Sequence, residues 1–185
     1  MPKGPMAEGL ERGVWQDGGN GVHWRMVGDA ERWKERMRGV LTQISISGGG
    51  MPKLAIPEGR VTDEGIVGDW QLNRKYHGGP NRAICLYSEE LYEWLRGQGI
   101  ELTAGQLGEN FTTRGIDLMK LGRGTRLRVG KCVIEITEPR TPCAKLKRWR
   151  EDLKELLVGR AGWLAKVISE GTVRAGDGVE VVAEE

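Results

Sequence analysis

Short runs of branched apolar residues recur along the chain between closely spaced glycines. Residues 127–129 and 133–137 alternate apolar and polar side chains with a period of two, as a strand with one buried face does. The Gly130-Lys131 pair between them predicts a two-residue hairpin turn. In total, the pattern predicts strands over residues 40–46, 82–87, 124–129, 132–137 and 178–182.

Two segments carry helical signals. Ser88 is a candidate N-cap for a helix over residues 89–96, which has two acidic residues in its first turn and Leu91, Trp94 and Leu95 on one face. A second helix is predicted over residues 146–158. Its apolar side would be formed by Leu146, Trp149, Leu153, Leu156 and Leu157. Many short strands with few helices predict a mainly β fold, a barrel or sandwich with helical inserts.

The first residues do not share this pattern. Residues 1–29 show no sustained period, and residues 30–38 can form one short charged helix. A chain of 185 residues is long enough for one well-buried domain. We therefore predict an N-terminal extension over residues 1–37, either disordered or with that short helix, followed by one domain over residues 38–183.

Composition narrows the functional class. The net charge is only +2, so a nucleic-acid partner is not indicated, and the acids interleaved with Trp15, Trp24 and Trp33 argue against base stacking. Three cysteines without a Cys-x-x-Cys pair argue against structural zinc and favour a reducing cytosol. No segment approaches the roughly 20 apolar residues that span a bilayer. We predict a cytoplasmic protein with neither a nucleic-acid nor a membrane partner.

The segment over residues 138–148 carries the strongest chemical signal. It places Cys143 between two prolines and a cluster of cations, and nearby cations favour the thiolate, so we expect an unusually acidic thiol. The cations are Arg140, Lys145, Lys147 and Arg148. Pro139 and Pro142 stiffen the loop. The alternative is a buried structural cysteine that happens to precede a basic helix.

Two glycine-rich stretches can bind an anion or a heterocycle. Lys75, His77 and Arg82 surround a Gly-Gly-Pro turn with free backbone N–H groups, which predicts an anion cradle; the alternative is a hairpin turn with solvated charges. In residues 105–115, Gly108 would permit close approach of a ligand. The same stretch offers hydrogen-bonding groups at Asn110 and Thr112.

Other reaction classes receive less support. Neither a P-loop nor a dinucleotide-binding glycine motif occurs, so nucleotide hydrolysis is not indicated. Cys143, His77 and Asn110 supply the residue types of a Cys-His-Asn hydrolase, but no local signature of such a hydrolase surrounds any of them.

Five motifs, in this order, closely resemble the MOSC domain, the C-terminal domain of molybdenum-cofactor sulfurases and its stand-alone bacterial relatives. The resemblance covers about residues 38–183. The motifs are Gly-Ile-Val-Gly-Asp at 65–69, His-Gly-Gly-Pro-Asn-Arg at 77–82, Gly-Glu-Asn-Phe-Thr-Thr at 108–113, Arg-Thr-Pro-Cys at 140–143 and Arg-Ala-Gly-Asp at 174–177.

The resemblance implies a MOSC-like β-barrel with a few short helices and a cleft for the molybdopterin form of the molybdenum cofactor. It implies that Cys143 ligates molybdenum or carries sulfur as a persulfide. It also implies contacts to the cofactor from other residues, and the candidates are Lys75, His77, Arg82, Gly108, Asn110, Thr112 and Arg140. The family is further associated with pyridoxal phosphate.

The implied activities are reduction of N-hydroxylated compounds, sulfur transfer, or non-enzymatic delivery of the cofactor to another molybdoenzyme. The chain lacks a pyridoxal-phosphate-dependent sulfurase domain, a ferredoxin-like cysteine cluster and a flavin motif. A cysteine desulfurase or an electron-donor protein is therefore an expected partner.

Overall fold

A computed structural model of the chain describes residues 37–70 and 78–182, together with the backbone of residues 14–17 and 22–25. The chain divides into two units, Met1–Glu35 and Arg36–Glu185. In the first unit, β1 (Val14–Asp17) pairs antiparallel with β2 (Val22–Arg25), a pairing that the sequence pattern did not predict. The short helix predicted over residues 30–38 falls mostly outside the described residues, and Arg38 begins a strand.

The second unit is mainly β, as predicted. Its strands are β3 (Arg38–Ile46), β4 (Leu54–Ile56), β5 (Glu58–Thr62), β6 (Gly65–Ile66), β7 (Ile84–Ser88), β8 (Phe111–Arg114), β9 (Arg126–Val129), β10 (Cys132–Pro139), β11 (Trp163–Ser169), β12 (Gly171–Arg174) and β13 (Gly178–Val182). The α-helices are α1 (Glu89–Gly97) and α2 (Leu153–Leu156), and short 3₁₀-helices span Pro80–Arg82, Leu118–Lys120 and Ala144–Arg148.

Seven of these strands form a closed barrel. Their order is β13, β9, β10, β11, β7, β8 and β3, and pairing of β13 with β3 closes the ring. All neighbours are antiparallel except β7 and β8, which run parallel. β4 extends β3 beyond the ring, and β12, β5 and β6 form a separate three-stranded sheet. Closure gives each strand of the ring a partner on both sides, and β4 pairs with the part of β3 that extends beyond the ring.

Local predictions are confirmed where one short-range rule decides the structure. Gly130 adopts a positive φ of 54° between the paired residues Val129 and Cys132, as the hairpin prediction requires. The Ser88 hydroxyl accepts the N–H of Leu91 at 3.2 Å and caps α1. No helix in the described part of the chain is long and apolar enough to cross a membrane.

The prediction of one continuous helix over residues 146–158 is wrong. The structure has the 3₁₀-helix Ala144–Arg148, then a turn, then α2. Consecutive side chains are tied to different loops. Arg148 donates to the Met51 carbonyl at 2.6 Å, the Trp149 indole donates to the Gln106 carbonyl at 3.1 Å, and Arg150 donates to the Gln98 carbonyl at 3.2 Å. These bonds favour a tighter, interrupted path over one continuous helix.

A second apolar layer packs outside the barrel between α1 and the segment that follows β10. It consists of Cys85, Tyr87, Leu91, Tyr92, Leu95, Ile100, Leu102, Leu107, Leu146, Leu153, Leu157 and Ala161. The layer joins β7 to the 3₁₀-helix that begins directly after Cys143. Burial of these side chains therefore fixes the position of the segment that follows Cys143.

Candidate functional site

Cys143 lies in the loop between β10 and the 3₁₀-helix Ala144–Arg148. Arg140, just past the end of β10, donates its backbone N–H to the Gly162 carbonyl at 2.8 Å. The Cys143 carbonyl then accepts the N–H of Leu146 at 3.1 Å, which starts the helix. Cys143 is partly exposed, whereas Cys85 and Cys132 are buried. The predicted alternative of a buried structural cysteine therefore does not describe Cys143.

A cleft opens beside Cys143 and encloses a volume of about 80 Å³. Four cationic side chains line it, and no carboxylate does so among the described residues. The lining residues are Gly50, Met51, Lys53, Trp70, Gly78, Arg82, Cys85, Gly108, Asn110, Arg140, Cys143, Lys145 and Leu164. A concave surface with a thiol and this charge balance suits an anionic ligand that offers a soft atom to sulfur.

Lys53 and Asp69 form a buried ion pair at the edge of the cleft. Their side chains are 8% and 3% exposed. Asp69 Oδ1 also accepts the N–H of Ser47 at 2.8 Å, and Oδ2 accepts the Asn110 amide at 2.9 Å. The Asp69 carboxylate thus has a donor on each oxygen and a counter-charge, which is the arrangement that makes a buried charge tolerable.

Asn110 is a buried residue whose amide holds the two sides of the cleft together. Its Nδ2 donates to the Ser45 carbonyl at 3.2 Å and to Asp69, and its Oδ1 accepts the N–H of Cys85 at 3.2 Å. Its backbone N–H donates to the Cys85 carbonyl at 2.9 Å. The amide is therefore committed to protein groups, and Asn110 positions β7 against β3.

Arg140 interacts electrostatically with both cleft cysteines, Cys85 and Cys143. Its Nη1 donates a hydrogen bond to the Thr141 carbonyl at 2.7 Å. Burial acts to lower the pKa of Arg140, but interactions with the neighbouring Cys85, Tyr87 and Cys143 groups outweigh it and raise the pKa. Arg140 therefore stays charged at the centre of the site.

Arg82 also lines the cleft. It forms a bidentate ion pair with Glu138, in which Nε contacts Oε1 and Nη2 donates to Oε2 at 3.3 Å. The pair ties the 3₁₀-helix Pro80–Arg82 to the end of β10. Lys75 and His77 of the predicted anion cradle lie outside the described residues, so the roles of both residues remain predictions.

The residues of the Gly-Glu-Asn-Phe-Thr-Thr motif lie partly at the cleft and partly in the protein interior. Gly108 lines the cleft with φ +92°, and a Cβ placed there would meet Met51 at 3.6 Å. Thr112 is fully buried, and its hydroxyl donates to Glu109 Oε1 at 2.9 Å rather than facing the cleft. Glu109 is also fully buried. The motif therefore brings Gly108 and Asn110 to the cleft and keeps Glu109 and Thr112 in the interior.

Glu109 is expected to make the stability of the fold decrease as the pH rises. Its Oε1 accepts Tyr92 and the Gly105 N–H, both at 2.6 Å, while Oε2 is buried without a partner. Burial raises the pKa of the Glu109 carboxyl, although these hydrogen bonds act in the opposite direction. Above the unfolded value of about 4.3, the folded state keeps a proton that the unfolded state releases, so the free energy of unfolding falls with pH.

The variant Glu109→Gln should remove most of this pH dependence, since the amide does not titrate. Urea unfolding between about pH 5 and pH 8 would measure it. Glu64→Gln, at an exposed turn, is the matched control and should follow the wild type. Parallel pH curves for the wild type and Glu109→Gln would contradict the assignment.

Lys53, Cys85 and Asp69 lie at or beside the cleft and were not among the predicted contacts. Lys53 follows the Gly48-Gly49-Gly50 run after β3, and a cation after a glycine-rich turn is the signal that could have indicated it. Asp69 ends a motif that was recognised without a role. Cys85 occupies an apolar strand, where a cysteine gives no distinguishing signal.

A larger cleft of about 470 Å³ lies elsewhere on the barrel, beside α1. It contains no cysteine, and its one cation, Arg160, stacks on the Trp94 ring at 4.6 Å. Among the described residues, no group of three or more His, Cys, Asp or Glu side chains is placed to hold a metal ion. Chemical groups, rather than size, therefore mark the Cys143 cleft as the candidate site.

The family model for the MOSC domain matches residues 73–180. Protein YiiM of Escherichia coli (strain K12) is 37% identical over 131 residues, which are 66% of this chain and 58% of YiiM. A protein named "Reductase" from Gibberella moniliformis is 32% identical over 127 residues, which are 64% of this chain and 22% of that protein. The matched region thus spans less than two thirds of either relative.

Solved structures agree with these matches. The crystal structure of a hypothetical protein superposes with a TM-score of 0.69 at 32% identity, covering 83% of this chain and 71% of that one. The crystal structure of Escherichia coli YiiM gives a TM-score of 0.63 at 31% identity, covering 80% and 71%. The barrel and the family match together show that the chain belongs to the MOSC domain family, which is associated with the molybdenum cofactor.

Proposed function

We propose that the chain binds the molybdopterin form of the molybdenum cofactor at the Cys143 cleft, with the Cys143 sulfur as a ligand of molybdenum. The observation that carries this proposal is a partly exposed thiol in a cleft lined by four cations and no described carboxylate. Molybdopterin carries a phosphate and a dithiolene, so cations and a soft sulfur ligand complement it.

The four cations of the cleft differ in the partners they already have. Lys53 is paired with Asp69 and Arg82 with Glu138. Arg140 and Lys145 would therefore supply most of the attraction for the anionic groups of the cofactor. Asn110 would hold the walls of the cleft in register.

When bound, the cofactor supplies two-electron redox chemistry at molybdenum. The residues of this chain would bind and orient it: Cys143 through its sulfur, and Arg140 through the positive charge it holds at the centre of the site. A reductase of N-hydroxylated compounds is the proposed activity, and the relative named "Reductase" supports that class. Electrons would come from a separate donor protein.

The Cys143→Ser variant tests the proposal. The wild type, purified from a host that makes the cofactor, should contain about one molybdenum per chain, and Cys143→Ser should lose most of it. Metal analysis of both proteins is the measurement, and Cys132→Ser, a change inside the barrel, is the matched control. A wild type with neither molybdenum nor persulfide, together with an unchanged Cys143→Ser, would overturn the proposal.

Turnover separates a reductase from a delivery module. A reductase should reduce an N-hydroxylated substrate with a reduced dye as electron donor, and Cys143→Ser should lose that activity. A delivery module should show no turnover but should bind released cofactor in calorimetry, more weakly in Cys143→Ser.

A second function, sulfur carriage on Cys143 as a persulfide, is supported by the presence of Cys85 in the same cleft. A cysteine desulfurase would be the partner that supplies the sulfur. A carrier should exchange labelled sulfur without reducing the substrate.

A further inference from the structure

Two of the three cysteines share the candidate site. Cys143 and Cys85 both line the cleft, from the loop after β10 and from β7 respectively. Cys132 is fully buried in β10, and burial raises the pKa of its thiol to about 12. The cleft thus holds a dithiol pair, and the chain also provides an internal control thiol.

Arg140 lines the same cleft as the two cysteines and interacts electrostatically with both. Burial raises the pKa of the Cys85 thiol, and Arg140 acts in the opposite direction. Cys85 is only 7% exposed, so Cys143 is the sulfur that external reagents reach first. Cys85 is the less accessible of the two thiols in the cleft.

Cys85 is also held in position. Asn110 binds both of its backbone polar groups, accepting its N–H at 3.2 Å and donating to its carbonyl at 2.9 Å. Its strand pairs with β11, where Leu164 opposes Cys85. Cys143, by contrast, lies in a loop. A thiol fixed in a strand and a thiol on a loop of the same cleft suit a reaction in which the loop sulfur approaches the fixed one.

We propose that Cys85 is a resolving thiol for Cys143. When Cys143 carries a persulfide, the Cys85 sulfur attacks Cys143 Sγ, a Cys85–Cys143 disulfide forms, and hydrosulfide leaves. This inference rests on the sulfur-carrier form of the proposed function. It gives the site an activity beyond carriage, the reductive release of sulfide.

The step is a thiol–disulfide exchange and balances without a further oxidant. The bond between the two cysteine sulfurs forms, and the bond between Cys143 Sγ and the terminal sulfur breaks. The departing hydrosulfide takes the electron pair of the broken bond, and the Cys85 proton passes to hydrosulfide or water. The Cys85 sulfur is oxidised as the terminal sulfur is reduced. A dithiol such as dithiothreitol returns the disulfide to two thiols.

Persulfide loading of the reduced full chain tests the step. Glutathione persulfide transfers its terminal sulfur to Cys143 and leaves as glutathione. Released sulfide is then measured, and peptides are mapped by mass spectrometry after iodoacetamide quenching. The wild type should release about one sulfide per chain and yield a Cys85–Cys143 disulfide peptide, with Cys132 alkylated as a free thiol.

Variants assign the roles. Cys85→Ser and Cys85→Ala should keep the persulfide on Cys143 and release sulfide about tenfold more slowly or less. Cys132→Ser should behave as the wild type, and Cys143→Ser should not load. Circular dichroism of each variant reports whether it folds. Release at the wild-type rate from either folded Cys85 variant would overturn the proposal.

A second oxidant separates this inference from the proposed function. Hydrogen peroxide oxidises the Cys143 thiol to a sulfenic acid and is itself reduced to water, and attack by Cys85 then gives the same disulfide and a second water. If peroxide yields the disulfide but no persulfide forms, sulfur carriage and sulfide release both fail while the pairing of the two thiols stands. If Cys143 accepts persulfide and no Cys85–Cys143 disulfide follows, carriage stands and the resolving role fails.

Discussion

Replacing Asp69 with alanine is expected to lower the free energy of unfolding by about 3–5 kcal/mol, because the buried Lys53 ammonium loses its counter-charge. The same change removes the acceptors of the Ser47 N–H and of one Asn110 amide bond. Urea unfolding at neutral pH is the measurement. Asp69 joins Ser47, just past the end of β3, to Lys53 and Asn110.

Two comparisons make this result interpretable. Glu151→Ala removes the exposed partner of Lys147; the Glu151 side chain is 80% exposed, so the free energy of unfolding should hardly change. The double variant Lys53→Met, Asp69→Leu removes both charges and should recover much of the loss, since apolar replacements of buried pairs are often neutral. A loss in Asp69→Ala no larger than in Glu151→Ala would show that burial of the pair is not what stabilises this wall.

Gly162→Ala is expected to destabilise the barrel by about 3 kcal/mol, the upper end of the usual range for overpacking. A Cβ at this position would lie 1.9 Å from the Leu86 carbonyl oxygen, which is backbone and cannot rotate away. The strain falls where β11 meets β7, at the pair of Trp163 with Leu86. Gly162 also accepts the Arg140 N–H, so the displacement should reach the cleft.

Gly122→Ala provides the matched control, because a Cβ there meets no atom within 4 Å. Its unfolding free energy should stay within about 0.5 kcal/mol of the wild type. Thermal and urea unfolding of both variants would compare them directly. Equal stability of Gly162→Ala and the wild type would mean that β11 and β7 can separate without cost.

The elements predicted from sequence are those governed by local rules. The β9–β10 hairpin combines clean alternation with a glycine at the turn, and α1 combines a serine cap with an apolar face. β11 was not predicted, because only Ala165 of its seven residues is fully buried and its side chains do not alternate between buried and exposed positions. β4, β5 and β6 are short, and their pairing depends on partners distant in sequence.

The residues of the site also fall into two groups, those that local motifs indicate and those that only the tertiary structure brings together. Contiguous motifs indicated Cys143, Arg140, Gly108 and Asn110, which the fold brings to one cleft. Lys53 and Cys85 were missed because their importance comes from tertiary proximity to Cys143. Asn110 was predicted to contact a ligand, yet its amide binds Ser45, Asp69 and Cys85. The Gly-Glu-Asn motif indicated Asn110, and the tertiary structure shows which groups its amide binds.

Closure of the barrel has a consequence for synthesis of the protein. β13 pairs with both β9 and β3, and Gly178 lies opposite Val40, so the first and last strands of the ring meet. On the ribosome, β3 and β9 emerge long before the residues that cover their edges. Such distant pairing slows folding and leaves strand edges open to wrong partners. The nascent domain is therefore expected to need protection from aggregation until residues 178–182 have left the ribosome.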